Sequence, residues 1–191
     1  MFGIGLGLFF LLILGLLVAV VGWVIVTYNG LVSLRNQLKN AWAQIDVQLK
    51  RRYDLIPNLV ETVKDYMAYE QDVLTRVTQA RAGAIAAQGP AEQARAENQL
   101  TAALRQLFAV VENYPQLKAN ENVLRLQEEL TSTENRIAFA RQFYNDNVMR
   151  FNTRLQVFPT NVIAGMLGFT AQEFFETGDE AEREPVKVDL R

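Results

Sequence analysis

The stretch VLRLQEELTSTENRIAFARQFYNDNVMRFNTRLQVF, Val123 to Phe158, decides the fold class. Val123, Leu126, Leu130, Thr133, Ile137, Ala140, Tyr144, Val148, Phe151, Leu155 and Phe158 alternate three and four apart. That spacing follows one face of an α-helix for about ten turns, and it is the pattern of long helices packed side by side at a shallow angle. The alternation that a strand requires is absent. Tyr144, Phe151 and Phe158 recur every seven residues, so each ring is expected at the seam. Asn145 and Asn152 flank that seam, where a buried Asn can set helix register or oligomeric state.

The same period continues outward in both directions. Leu100, Leu104, Leu107, Val111 and Tyr114 form a second stripe, and Leu31, Leu34, Leu38, Ala41, Ile45 and Leu49 form another. Beyond Pro57 the pattern resumes at Leu59, Val63, Tyr66, Val73 and Val77. Pro57 is expected to kink or restart that helix, because it removes a backbone donor and crowds the preceding turn. No glycine falls between Leu31 and Ala82 or between Pro90 and Ala164, which favours helix over sheet. Gly89-Pro90, Tyr114-Pro115 and Phe158-Pro159 separate the segments. Asn161 to Phe175 reads as a short helix and turn docked on the bundle. Residues 177–191 read as an acidic, disordered tail.

The first 28 residues carry no charged side chain. From Ile4 to Val26 the run is apolar apart from glycine, and at about 1.5 Å per residue it spans a hydrocarbon core of roughly 30 Å. It does not read as a cleaved signal peptide: no Lys or Arg precedes it, it is too long, and no small-x-small site follows. The expected architecture is therefore all-α, with a transmembrane anchor over 1–28 continuing into an elongated antiparallel bundle of long helices over 29–176. Arg35 and Lys39 follow the span and no basic residue precedes it. The positive-inside rule then places the amino terminus outside and the helical domain in the cytoplasm, in a single-pass cell-membrane protein. Trp23 and Tyr28 are the expected interfacial anchors. Gly3, Gly7, Gly15, Ala19 and Gly22 approximate one small-residue face, which would let membrane helices associate closely.

Composition narrows the function. The chain has no Cys and no His among its 191 residues. Thiolate nucleophiles, disulfides, Cys-based zinc and iron–sulfur sites are excluded, and so is the commonest general base and metal ligand. A net charge of −2 argues against neutralisation of nucleic-acid phosphates. No catalytic residue, cofactor or metal site is expected, and the chain does not read as an enzyme. The densest charge lies at Asp46, Lys50, Arg51, Arg52, Asp54 and Glu61. Asp46 and Lys50 have the favourable order for a helical ion pair. The segment is either a contact surface for a partner or another subunit, or a set of intramolecular pairs with a solvated face. Glu121, Glu128 and Glu129 read as a solvent face.

The stretch YNGLVSLRNQLKNAWAQIDVQLKRRYDLIPNLVETVKDYMAYE, from Tyr28 to Glu70, closely resembles the hallmark of the LemA family. Further pieces follow in the same order: VENYPQLKAN at Val111 to Asn120, LQEEL at Leu126 to Leu130, Glu134-x-x-Ile137-x-x-x-Arg141, FYNDNVMRFN at Phe143 to Asn152, and FP…GF from Phe158 to Phe169. The resemblance implies one membrane helix, an all-helical domain and no established enzymatic activity. Long helices, the small-residue membrane face and the absence of a site favour a membrane-anchored helical scaffold that self-associates and organises or shapes the membrane. The alternative is an adaptor or regulator of another membrane protein, such as a protease, sensor or transporter. The expected partners are the lipid bilayer, further copies of the chain and, on the alternative, that other membrane protein.

Overall fold

The computed structural model describes residues 2–67 and 69–176, with side chains from Gly7 onward. The acidic tail expected over 177–191 lies outside the described residues. Among the described residues six helices follow in order: α1 (Phe2–Lys64), α2 (Gln71–Ala86), α3 (Pro90–Val111), α4 (Pro115–Lys118), α5 (Glu121–Gln156) and α6 (Thr160–Met166). Among the described residues there is no strand, and the fold is all-α as expected. The described residues form two compact units, 2–42 with 143–172, and 43–142 with 173–176.

Of the two outcomes expected at Pro57, a kink or a restart, the restart does not occur. Helix α1 runs through Pro57 and ends at Lys64, and the turn begins at Asp65. A proline cannot donate to the carbonyl four residues back, which here is Tyr53. Arg81 Nε donates to that carbonyl at 2.8 Å, so the bond lost within α1 is replaced from α2. The later turn shifts the stripe: Met67 is buried and Tyr66 is 45% exposed, whereas helical continuation required Tyr66 inside.

In the second unit, apolar stripes of α1, α2, α3 and α5 meet in one core. Ile56, Leu59, Val63, Val77, Leu100, Leu107, Leu117 and Val123 are all buried there. Each buried side chain of that size contributes about 1.5–3 kcal/mol. Helices α2 and α3 are joined through Gly89, whose φ of +80° and ψ of 164° suit glycine and strain other residues. Pro90 then starts α3 at the position where its missing N–H costs nothing. The side chain of Asn120 caps α5, accepting hydrogen bonds from the amides of Asn122 at 2.9 Å and Val123 at 3.3 Å.

In the first unit, α1 and α5 run antiparallel. The rings of Trp42 and Tyr144 meet edge-on at 5.3 Å, while Leu34 shares a cleft with Met149, Thr153 and Val157. Leu31, Leu38, Tyr144, Val148 and Phe151 are buried, as the stripes require. Phe158 departs from its stripe and is 78% exposed, because α5 ends at Gln156 and the period ends with it.

Helix α6 closes the first unit. Its end is a Schellman motif: Phe169 N–H bonds to Ala164 O at 3.0 Å and Gly168 N–H to Gly165 O at 3.3 Å. Gly168 supplies the required left-handed backbone, with φ +71°. The turn places the Phe169 ring edge-on to Tyr28 at 6.2 Å and to Phe151 at 6.4 Å, with the Arg35 guanidinium 5.3 Å from its centroid. Asn152 then holds the chain beyond it, donating to Gln172 O and accepting from Gln172 N–H, both at 2.8 Å. Gly168→Ala is expected to lower stability by about 1–2 kcal/mol, because its backbone must remain left-handed. Gly165→Ala meets no atom within 4 Å and is expected to be neutral or stabilising. Urea unfolding in mild detergent, followed by circular dichroism, measures both; equal effects would contradict this assignment.

Candidate functional site

The densest polar construction lies in the second unit, where α1, α2 and α3 meet. Helix α1 supplies Arg52 and Tyr53, and α2 supplies Arg81 and the carbonyl of Ala84. Helix α3 supplies Gln93, Glu97 and Thr101, spaced by four residues so that all three share one face. Arg52 Nη1 donates to Glu97 Oε2 at 2.9 Å and Arg52 Nη2 to Thr101 Oγ1 at 2.7 Å. The side chains of Arg52 and Glu97 are only 3% and 4% exposed. The Tyr53 hydroxyl donates to Glu97 Oε1 and accepts from Gln93 Nε2 at 2.9 Å. Gln93 Nε2 also donates at 3.0 Å to Ala84 O, a carbonyl in the last turn of α2 that has no partner within its own helix.

The electrostatics of this cluster are those of a structural clamp. Ion pairs this deeply buried add little net stability compared with apolar residues of the same shape, but removing one member alone costs about 3–5 kcal/mol. Burial is the largest influence on the Tyr53 hydroxyl and raises its pKa above the ordinary 10. The hydrogen bond to Glu97 and then its charge raise it further, against smaller opposing effects of Gln93 and Arg52. The proton is held more firmly in the folded chain, so the phenolate that base or nucleophile chemistry needs is scarcely formed.

A cavity of about 150 Å³ opens beside the clamp, lined in part by Arg52, Thr101, Gln127 and Glu134. Ligand pockets usually measure about 300–1,000 Å³, so this one has room for a few waters. Among the described residues, no group of three or more Asp or Glu gathers as a metal site would.

The structure separates the residues singled out between Asp46 and Glu61. Arg52 is buried in the clamp. Arg51 reaches Glu129 of α5 at 2.5 Å, which removes Glu129 from the purely solvated face. Glu61 pairs with Lys64 at 2.5 Å on the surface. Lys50 and Asp54 are exposed. Asp46 is exposed, and partial desolvation raises its carboxyl from the ordinary value; among the described residues no ion pair joins it to Lys50. Trp23 and Tyr28 are 39% and 43% exposed. Gly7, Gly15 and Gly22 face open space, with no atom within 4 Å of an added methyl, and Ala19 is exposed beside them. Gly3 precedes the residues whose side chains are described. Tyr144 and Phe151 are buried, Asn152 binds Gln172, and Asn145 is half-buried. Asn147 is the buried asparagine of α5, donating to Phe143 O at 2.7 Å.

The apolar periodicity passed over Tyr53, Arg81, Gln93, Glu97 and Thr101, because a count of apolar residues treats polar ones as solvent-facing. The available signal was the four-residue spacing of Gln93, Glu97 and Thr101 beside the stripe of Leu100 and Leu104.

Comparison with known proteins adds the family. A model of the LemA family matches residues 41–190. A protein named LemA from Metamycoplasma hominis is 27% identical, over 84% of this chain and 73% of its own length. A magnetosome protein MamQ of Paramagnetospirillum magneticum is 24% identical, over 83% of this chain and 68% of its own. The MamQ of Magnetospirillum gryphiswaldense is 23% identical over the same shares.

The clamp makes a pH-dependent prediction. A group whose pKa is raised on folding stabilises fully below its unfolded value, near pH 10, and that contribution is lost as pH rises through the folded value. Tyr53→Phe is therefore expected to be about 1–2 kcal/mol less stable at pH 8. Between about pH 9 and pH 11 it should lose stability less steeply than the parent chain. Urea unfolding at each pH measures this, and parallel slopes would remove Tyr53 from the clamp.

Proposed function

This chain belongs to the LemA family, and from that premise we propose that it is a membrane-anchored, non-enzymatic helical scaffold that assembles with further copies of itself. One observation carries the reading. A single helix, α1, contains both an apolar run exposed from Leu8 to Val26 and the buried residues Leu31, Leu38, Ile45, Leu59 and Val63 of the folded helices. The run is long and apolar enough to cross a membrane, and it is not covered by the other described residues. Backbone groups within a helix are satisfied internally, so the same element suits lipid and water in turn.

The orientation follows the basic residues. Arg35 and Lys39 lie just beyond the span, which supports a cytoplasmic helical domain and an external amino terminus. The open face of Gly7, Gly15 and Gly22 supports association between membrane helices, since small residues let backbones approach closely. The charged groups of the clamp are occupied with one another, which favours a structural role over a catalytic one. Relatives named for the magnetosome favour the same role.

The test is the mass and projection shape of the full-length protein in mild detergent, by light scattering and negative-stain imaging. A large symmetric particle is expected, and Gly15→Leu with Gly22→Leu should make it smaller. A monomer would overturn self-assembly and turn the search to a different protein partner. An unchanged particle in the double variant would move assembly from the span to the helical domain.

A further inference from the structure

A second apolar surface lies outside the span, at the corner between α5 and α6. Val157, Phe158, Val162, Met166 and Leu167 are exposed there, Phe158 to 78% and Met166 to 81%. Helix α6 carries no charge. Ile163 and Ala164 fill its inner face, yet Val162 and Met166, four residues apart, leave its outer face apolar too. A short helix facing water would place polar residues there, and a contiguous exposed apolar surface marks a contact with protein or membrane.

Two features of the first unit identify the contact. The first is position. Phe169, three residues after Met166, packs against Tyr28, where the apolar run of α1 ends. The second is charge. This unit holds Arg35, Lys39, Arg150 and Arg154 against one acidic residue, Asp146, in a chain whose net charge is −2. Residues 147–172 contain no acidic residue at all. Arg150 and Arg154 line an open cleft of about 420 Å³ whose apolar walls are Leu34, Met149 and Val157. Leu34 is six residues past Tyr28, about 9 Å along the helix axis. That is close to the thickness of one headgroup layer, roughly 5–8 Å beyond the hydrocarbon.

We propose that the α5–α6 corner is a second, peripheral membrane contact, in which Phe158, Val162 and Met166 enter the bilayer interface and Arg150 and Arg154 bind the phosphates of anionic lipids. This rests on reading α1 as a membrane span. The apolar side chains and the guanidinium pair occupy the two depths that an interfacial helix requires, and Arg matches phosphate geometry through paired donors. The contact would fix the first unit against the bilayer at a second point beside α1. It also adds two basic residues to Arg35 and Lys39 on the side of the membrane where the chain emerges.

Because the chain has no Cys, single thiols report cleanly. Full-length Met166→Cys, Val18→Cys and Ser132→Cys proteins, each carrying bimane, are reconstituted in phosphatidylcholine–phosphatidylglycerol vesicles containing spin-labelled lipid. The expected result is strong quenching at Val18→Cys, several-fold greater quenching at Met166→Cys than at Ser132→Cys, and a clear loss of the Met166→Cys quenching on Arg150→Gln with Arg154→Gln. Quenching at Val18→Cys with Met166→Cys no more quenched than Ser132→Cys would overturn the peripheral contact alone. No quenching at Val18→Cys would overturn the membrane span beneath it. Quenching at Met166→Cys that ignores the double arginine variant, and is equal in pure phosphatidylcholine, would overturn the phosphate contact.

Discussion

Helix α1 has to remain helical from Phe2 to Lys64 through an apolar run, a packed interior and a proline. In the apolar run the backbone satisfies itself, as any lipid-exposed segment must. At Pro57 it cannot, and the carbonyl of Tyr53 is left without its donor. Arg81 supplies one, and in doing so ties α2 to α1 at a fixed register. The same turn of α1 carries Arg52 and Tyr53 into contact with Glu97, Thr101 and Gln93, and Gln93 in turn satisfies the last turn of α2. Three helices are thus joined by one connected set of hydrogen bonds, laid beside an apolar core that is itself non-directional. The core supplies most of the stabilisation, whereas the polar set decides which residues stand opposite one another.

The first unit solves a different problem. Its helices α1 and α5 meet along aromatic and aliphatic side chains, and its register is set by Phe169, a residue held by a turn. Gly168 allows the turn, Asn152 pins the chain beyond it, and the ring then touches Tyr28, Phe151 and Arg35. The acidic residues of the sequence lie almost wholly elsewhere. A basic unit with exposed apolar side chains next to the end of an apolar span is suited to an anionic lipid surface.

Much of this was legible in the sequence, for a definite reason. A helix buries one face at a period of 3.6, so Val123 to Phe151 on α5 and Leu31 to Leu49 on α1 announce both their structure and their inner residues. Family motifs between Tyr28 and Phe169 agree with the match over residues 41–190. The failures have equally definite causes. A restart at Pro57 was not needed because the donor that compensates it comes from Arg81, 24 positions later in the sequence. The turn that begins at Asp65 contains neither glycine nor proline and gave no local signal. Arg52 follows Lys50 and Arg51, but it stands three after Leu49 and four before Ile56, so the helical period, not the residue type, marked it as inward-facing. Asn152 was placed beside a helix seam, and its partner proved to be the backbone of Gln172, a contact made only once α6 has turned the chain.

The central claim is that α1 crosses a bilayer and holds the helical domain on the side where Arg35 and Lys39 emerge. Two single-cysteine proteins, Phe2→Cys and Ser132→Cys, test it most directly when intact cells are treated with a membrane-impermeant thiol reagent. The account requires opposite behaviour: Phe2→Cys labels in intact cells, and Ser132→Cys labels only after lysis. Equal access at both positions would contradict the span, and the reverse pattern would contradict the orientation.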